Sequence, residues 1–337
     1  MLNKKDCSPN YFYKMVQNYK EAQLLFAAIE LDIFTYLGEF KDYKAVALET
    51  GYNERNLKFF LNSLVAIGLI EKKGDIYRNT PIVDRYLNKE REVYLGGYIV
   101  FREKMTQLLN VVERVKKGPI DYVVKNNKGV EVYDFYKLAK LSIKEMYTGR
   151  VQSLLEISKS LFIKDKALKI LDLGGGSGTL AIEFIKNYPD STGVIFEHPS
   201  VSRLPKELVK EMEFEDRIKV LSGDFTIDDI GKDYDFIIAS GVLDFAKDSL
   251  SHMVKKLYDA LNVSGYLYIV SHDVNEEHTA PKQSIVGWLS SHLDGLDILL
   301  DKNSITNALE TGGFVEIERD NIQGIMDNLQ GEIYIKG

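Results

Sequence analysis

The stretch Leu168-Lys169-Ile170-Leu171-Asp172-Leu173-Gly174-Gly175-Gly176-Ser177-Gly178 decides the fold. Its first half is a short apolar run, the pattern of a strand buried on both faces. The glycines after it let the backbone pass close to a ligand that a side chain would exclude. Helical spacing resumes over 180–188. Such a loop is only moderately specific by itself, because dinucleotide enzymes use similar ones. The residues downstream of the loop separate the readings.

Beyond it, apolar runs predict strands at 192–197, 218–221, 234–239 and 265–270, with a helix over 247–261. A helix at 303–311 and strands at 314–319 and 332–336 close the chain. Strands alternating with helices imply a largely parallel sheet covered on both faces. Glu197 ends the strand after the glycine loop, about 20 residues on, where a carboxylate can accept hydrogen bonds from both ribose hydroxyls of an adenosine. Gly223-Asp224-Phe225 follows the next strand, an acid and an aromatic suited to the adenine amino group and ring face. Asp224 as a turn residue and Phe225 as core are the plainer alternatives.

Upstream, Leu24, Leu25, Ala28, Ile29 and Leu31 recur at helical spacing. A short helix over 45–50 is ended by Gly51, and Asn53 is an N-cap for a helix with Leu57, Phe60, Leu61, Leu64 and Val65 on one face. Gly68-Leu69-Ile70-Glu71-Lys72-Lys73-Gly74-Asp75-Ile76-Tyr77-Arg78 reads as two strands around a Gly-Asp turn. This is a winged-helix pattern. Base reading needs Arg, Lys, Asn or Gln on the groove-facing helix, yet residues 54–66 carry only Arg55 and Lys58 as basic groups. Contact with another subunit fits that helix better than nucleic acid. Residues 96–165 read as helical, with Met105, Leu108, Leu109, Val112 and Val115 as a stripe expected to pack in the core. Gly118-Pro119 and the polar 125–129 break those helices.

The 337 residues exceed what one core usually serves, so more than one domain is expected. Net charge is −7 with no long basic run, which argues against a nucleic-acid partner. No apolar run approaches the roughly 18 residues of a membrane span, and the N-terminus lacks the apolar segment of a secretory signal. The single cysteine, Cys7, has no partner for a disulfide or a metal. These features point to the cytoplasm, with no membrane association.

Taken in order, these segments resemble class I S-adenosylmethionine-dependent methyltransferases, specifically the small-molecule O-methyltransferase group. Ala27-Ala28-Ile29-Glu30-Leu31-Asp32-Ile33-Phe34 and Leu64-Val65-Ala66-Ile67-Gly68-Leu69-Ile70 look like that group's winged-helix dimerisation domain. Residues 171–178, Phe196-Glu197-His198-Pro199-Ser200-Val201 and Gly223-Asp224-Phe225 look like its cofactor motifs. The resemblance implies an α/β fold: a Rossmann-like domain at 166–337 with a seven-stranded, mostly parallel sheet whose final strand is antiparallel. Before it would come a mainly α winged-helix dimerisation domain at 1–95, forming a homodimer, and a helical linker at 96–165 that contributes to the substrate pocket. It further implies S-adenosylmethionine as cofactor, with Asp172, Gly174 and Gly176 along its methionine part, Glu197 on the ribose, Asp224 and Phe225 at the adenine, and Ser240 nearby. No metal is implied, since the sulfonium already makes the methyl carbon electrophilic. Met146, Tyr147 and Arg150 would face a small, aromatic or cyclic acceptor, each having a core or salt-bridge alternative.

One position departs from the group. Its O-methylating members carry a histidine base after the fourth strand, where Val242-Leu243-Asp244-Phe245-Ala246 places Asp244. Asp244 is either a base or the N-cap of the next helix. His198 is expected beside the cofactor, His252 on the surface, and His272 as a substrate contact after the fifth strand. Trp288-Leu289-Ser290-Ser291-His292 is loosely similar to a segment of bacteriochlorophyllide C-methyltransferase, a member that also lacks the usual histidine. His292 is therefore the first candidate base and Trp288 a substrate contact. Oxygen is the expected acceptor atom, with carbon, nitrogen and sulfur open. A cofactor-binding winged-helix regulator, or a relative running other chemistry on the same cofactor, are the competing readings.

Overall fold

The computed structural model describes residues 8–126, 133–296, 298–322 and 329–337. Cys7 and the polar residues 127–129 lie outside them. The chain divides into two compact units, residues 1–101 and 102–337.

The first unit opens with α1 (Asn10–Glu30) and α2 (Ile33–Tyr36), followed by β1 (Lys41–Asp42), α3 (Tyr43–Thr50) and α4 (Glu54–Ala66). Asn53 accepts the Asn56 amide at 3.0 Å, capping α4 as its sequence predicts. Strands β2 (Ile70–Lys73) and β3 (Ile76–Asn79) flank Gly74, whose φ of 59° suits the tight turn. β3 lies between β1 and β2, all antiparallel, so the hairpin gains a third strand too short to leave a sequence signature. Ala28, Phe34, Val46, Leu61, Leu64 and Tyr77 fill this unit's core. In contrast, Tyr11, Phe12, Tyr13, Met15, Val16 and Tyr19 stand exposed along the start of α1.

Helices α5 (Pro81–Leu87), α6 (Gly96–Met105), α7 (Val111–Lys117), α8 (Asp121–Asn126), α9 (Phe135–Met146) and α10 (Arg150–Leu161) lead to the sheet. The expected apolar stripe does not hold: Leu108, Leu109, Val112 and Val115 are exposed, not core. α6 ends at Met105 and α7 restarts at Val111, so the intervening break resets the helical phase on which the stripe depended. Of the stripe, Met105 alone packs inward, near Trp288. The helix also continues through Lys125 and Asn126, where the sequence suggested a break.

The second unit holds β4 (Lys169–Leu173), α11 (Thr179–Asn187), β5 (Thr192–Glu197), α12 (Arg203–Glu211), β6 (Ile218–Ser222), β7 (Tyr234–Ser240), α13 (Leu250–Ala260) and β8 (Leu261–Ser271). Then come α14 (Lys282–Gly287), α15 (Leu289–Asp294), α16 (Lys302–Thr311), β9 (Phe314–Ile322) and β10 (Leu329–Lys336). The sheet order is β6-β5-β4-β7-β8-β10-β9, with β10 antiparallel to both neighbours and β4 through β8 parallel. This is the seven-stranded, mostly parallel sheet expected. The helix expected over 247–261 starts only at Leu250, after two 3-10 turns, and the next strand begins at Leu261 instead of 265. One face of the sheet packs Leu154, Phe162, Leu180, Phe184 and Phe236, the other Leu171, Met253, Leu257, Leu309 and Tyr334. β4 sits where the strand order reverses, β5 leaving to one side and β7 to the other. In open α/β sheets that switch point is where ligands bind, beyond the strands' C-terminal ends.

Candidate active site

The loop after β4 is shaped by backbone that side chains would obstruct. Gly174 has φ 63°, and a Cβ there would stand 2.9 Å from Val242 Cγ2 and 3.6 Å from the Phe225 ring. The site's walls are therefore the loop, Val242 and Phe225. Glu197, at the end of β5, turns its carboxylate onto this loop: Oε2 accepts the Gly176 amide at 2.6 Å and Oε1 the His198 amide at 2.6 Å. Asp172 is wholly buried beneath the loop and accepts the Ala181 amide, at the start of α11, at 3.3 Å. Burial pushes the Asp172 carboxyl up to about 7, aided by the Glu197 charge and opposed by the Ala181 amide. Burial likewise pushes Glu197 up to about 7, against the lowering effect of its two amide donors.

Asp224 accepts the Thr226 amide at 2.9 Å and its hydroxyl at 2.5 Å, which makes it a turn former whatever else it does. Ser240 ends β7, and its hydroxyl is buried without a hydrogen-bond partner among the described residues. Such a group costs free energy unless a ligand satisfies it. A cradle that a Cβ at Gly174 would fill, an orphaned hydroxyl and two carboxylates suit a ligand carrying ribose hydroxyls and a positive charge. The residues present fit S-adenosylmethionine.

A second group of residues gathers at the ends of β7 and β8. Asp244 lies in a 3-10 turn, Leu243–Phe245, and is 1% exposed. It does not cap the following helix, whose N-cap is Ser249; its side chain is held inside instead. Asp244 Oδ2 lies 2.8 Å from His272 Nδ1, and Oδ1 is 3.5 Å from the His272 amide. The imidazole meets Trp288 edge to face, ring centres 6.0 Å apart. Phe245 and Tyr133 stand edge-on to the same indole at 5.8 and 6.4 Å, and the Arg102 guanidinium lies over it at 5.1 Å. Trp288 is 3% exposed, yet its indole N–H has no hydrogen-bond partner among the described residues.

His292 is half-buried on α15, one turn beyond Trp288, whose carbonyl accepts its amide at 3.2 Å. The linker residues take the plainer contacts. Met146 packs against the core, the Tyr147 hydroxyl donates to Glu183 at 2.9 Å, and Arg150 lies 3.9 Å from Glu145. His198 bonds Ser200 beside Glu197, and His252 is exposed as expected. Sequence reasoning missed the Asp244–His272 pair. A signal for it existed: each residue falls just past the end of a parallel strand, and neighbouring parallel strands end on the same side.

A family model described as O-methyltransferase domain matches residues 124–293, and one described as O-methyltransferase dimerisation domain matches residues 13–89. The chain is 25% identical over 290 residues to the tetracenomycin polyketide synthesis 8-O-methyltransferase TcmO of Streptomyces glaucescens, covering 84% of each. It is 26% identical over 266 residues to the N,N-dimethyltransferase OxyT of Streptomyces rimosus, covering 74% of each. Human N-acetylserotonin methyltransferase in complex with SAM shares the fold, with a TM-score of 0.74, 22% identity and 100% of both chains covered. Among the described residues no helix is long and apolar enough to cross a membrane. The chain belongs to the O-methyltransferase family, carries its dimerisation domain, and is an S-adenosylmethionine-dependent methyltransferase.

Proposed function

We propose that the enzyme methylates a hydroxyl on a small, aromatic or cyclic acceptor. The observation that carries this reading is the aromatic group of buried Trp288, half-buried Tyr133 and exposed Phe245 beside the Asp244–His272 pair. Flat walls meeting at edge-to-face angles suit a planar ring, and a carboxylate–imidazole pair suits an acceptor that must lose a proton. TcmO is named as an O-methyltransferase. Nitrogen is the second acceptor atom, on the name of OxyT.

S-adenosylmethionine, when bound, supplies a methyl group on a sulfonium that needs no metal to make it electrophilic. The chain's own residues bind, orient and accept a proton. Gly174 and Gly176 line the methionine part and Ser240 offers its unpartnered hydroxyl; Asp172 supports the loop from below. Glu197 holds the ribose, while Asp224 and Phe225 flank the adenine. By the resemblance alone, Met146, Tyr147 and Arg150 border the acceptor side from the linker, beside their contacts with the core, Glu183 and Glu145. Residues 1–95 form the dimerisation domain, 96–165 the linker and 166–337 the catalytic domain. The exposed apolar start of α1 supports a homodimer through the N-terminal domain. Near-neutral charge around α4 supports a protein partner over nucleic acid, and the single cysteine suits the cytoplasm.

The test is incubation with isotope-labelled S-adenosylmethionine and a panel of phenols, naphthols and aryl amines, read by mass spectrometry. Label on an aromatic oxygen supports the reading. Label only on nitrogen shifts the acceptor atom, and no labelled product despite tight cofactor binding counts against methyl transfer to this class.

A further inference from the structure

Asp244 stands where the resembled group keeps a histidine, yet a histidine is present at the site. It comes from the neighbouring strand. Ser240 of β7 pairs in parallel with Val270 of β8, so the chain beyond each strand emerges on the same edge. His272 follows β8 directly and meets Asp244 at 2.8 Å through Nδ1. We infer that His272 is the base that takes the acceptor's proton and that Asp244 is its positioning residue, where the sequence suggested His292 or Asp244 as base and His272 as a substrate contact. This rests on the methyl-transfer reading above.

The carboxylate fixes the tautomer. An ionised carboxylate only accepts, so Nδ1 carries the hydrogen and Nε2 holds the lone pair. The same carboxylate reaches the His272 amide, and Ser284 Oγ lies 3.5 Å from the His272 carbonyl, so main chain and ring are held together. Directly afterwards Asp273, at φ 51°, turns the chain away and pairs with Lys302 at 2.7 Å. Trp288 closes the other side with an indole N–H that none of the described residues satisfies, a donor left for a bound molecule. Among the described residues, the charged groups around the imidazole include Asp244 itself, the Asp273–Lys302 pair with Glu332 4.0 Å from Lys302, and Arg102 across the indole.

The step balances without an added reagent. The acceptor's O–H bond breaks and its proton passes to His272 Nε2. Its oxygen forms the new O–C bond as the S–C bond breaks, and that electron pair stays on sulfur as a neutral thioether. The imidazolium then returns its proton to water.

Two readouts test the assignment in the full-length protein, using wild type, His272→Gln, Asp244→Asn and His292→Asn. Nitrogen-15 NMR of labelled wild type should show the His272 Nδ1–H tautomer, and Asp244→Asn should lose it. With 2-naphthol as probe, His272→Gln should lower kcat/KM by about 10²–10⁴-fold and erase the acid limb of its pH profile. Asp244→Asn should cost about as much, roughly 10²–10⁴-fold, because the geometry is kept but the tautomer is lost. Calorimetric binding of S-adenosylhomocysteine should stay within about threefold in both. An Nε2–H tautomer in wild type overturns the proposal. So does an acid limb that survives His272→Gln or vanishes only in His292→Asn. Should 2-naphthol not be turned over, the tautomer decides. Failure of wild type to bind S-adenosylhomocysteine is a different result, which removes the methyl-transfer reading itself.

Discussion

Glu197 and Gly176 are joined by a 2.6 Å hydrogen bond from the loop amide to the carboxylate, tying the end of β5 to the turn after β4. The ribose-facing candidate is thus also the residue that holds the glycine loop in shape. Its two oxygens are already engaged by Gly176 and His198 amides before any ligand arrives. Binding and loop order are carried by one side chain.

Glu197→Ala is therefore expected to weaken S-adenosylhomocysteine binding tenfold or more, about 1.4 kcal/mol or beyond, by calorimetric titration. Hydrogen exchange at Gly176 and His198 should rise in the same variant. Unchanged affinity would place the ribose elsewhere.

Asp172 gives a pH-dependent stability. Its ordinary value of 3.8 is raised to about 7 in the folded protein. Between those two values the folded state binds the proton and the unfolded state does not, so stability falls as pH rises through this window. The full cost is present above pH 7. Asp172→Asn removes it, and its gain in melting temperature should be larger at pH 8 than at pH 5 by at least about 2 °C. An equal effect at both pH values would mean that the carboxyl ionises normally. Glu197 is raised in the same sense, so ligand hydrogen bonds to its ionised form should weaken severalfold between pH 8 and pH 6.

Trp288→Phe removes a buried donor that has no partner among the described residues and keeps most of the aromatic contact. The stability change should stay below about 1.5 kcal/mol in chemical denaturation. KM for the aromatic acceptor should rise severalfold while S-adenosylhomocysteine affinity holds. A large loss of stability with unchanged KM would make Trp288 a packing residue only.

The start of α1 leaves Met15 and Tyr19 exposed on one helical face. Charged residues there cost little within one chain but a great deal in a buried interface. Met15→Asp with Tyr19→Asp should shift the protein from dimer to monomer by light scattering, with the monomer's helical signal kept. A persistent dimer would move the interface off α1.

Much of the fold was legible because parallel strands buried on both faces read as short apolar runs. Residues 168–173, 192–197 and 234–239 show this directly, and the loop with Glu197 is found by spacing alone. β1 was not legible, since Lys41 and Asp42 make a strand only because β3 offers an open edge. The stripe from Leu108 to Val115 failed for a different reason: helical periodicity shows that residues share a face, not that anything covers it. Asp244 and His272 are far apart in sequence, and their meeting depends on lateral register between β7 and β8. A list of histidines cannot express that register, which is why His292, on the helix beside Trp288, looked the better base.

The placement of β10 between β8 and β9 also orders the birth of the molecule. As the nascent chain leaves the ribosome, β8 can pair with β7, but its other edge stays bare. β9 emerges next and finds no partner until residues 329–336 slot in between. The keystone of the sheet is thus its last-made strand, and Gly331 fits there under the Tyr268 hydroxyl, which would sit only 2.9 Å from a Cβ. A chain interrupted after β8 but before that point would present the open edge of β8 to chaperones, proteases or other nascent chains. Until β10 has been made, the outer edge of β8 and the whole of β9 wait on it.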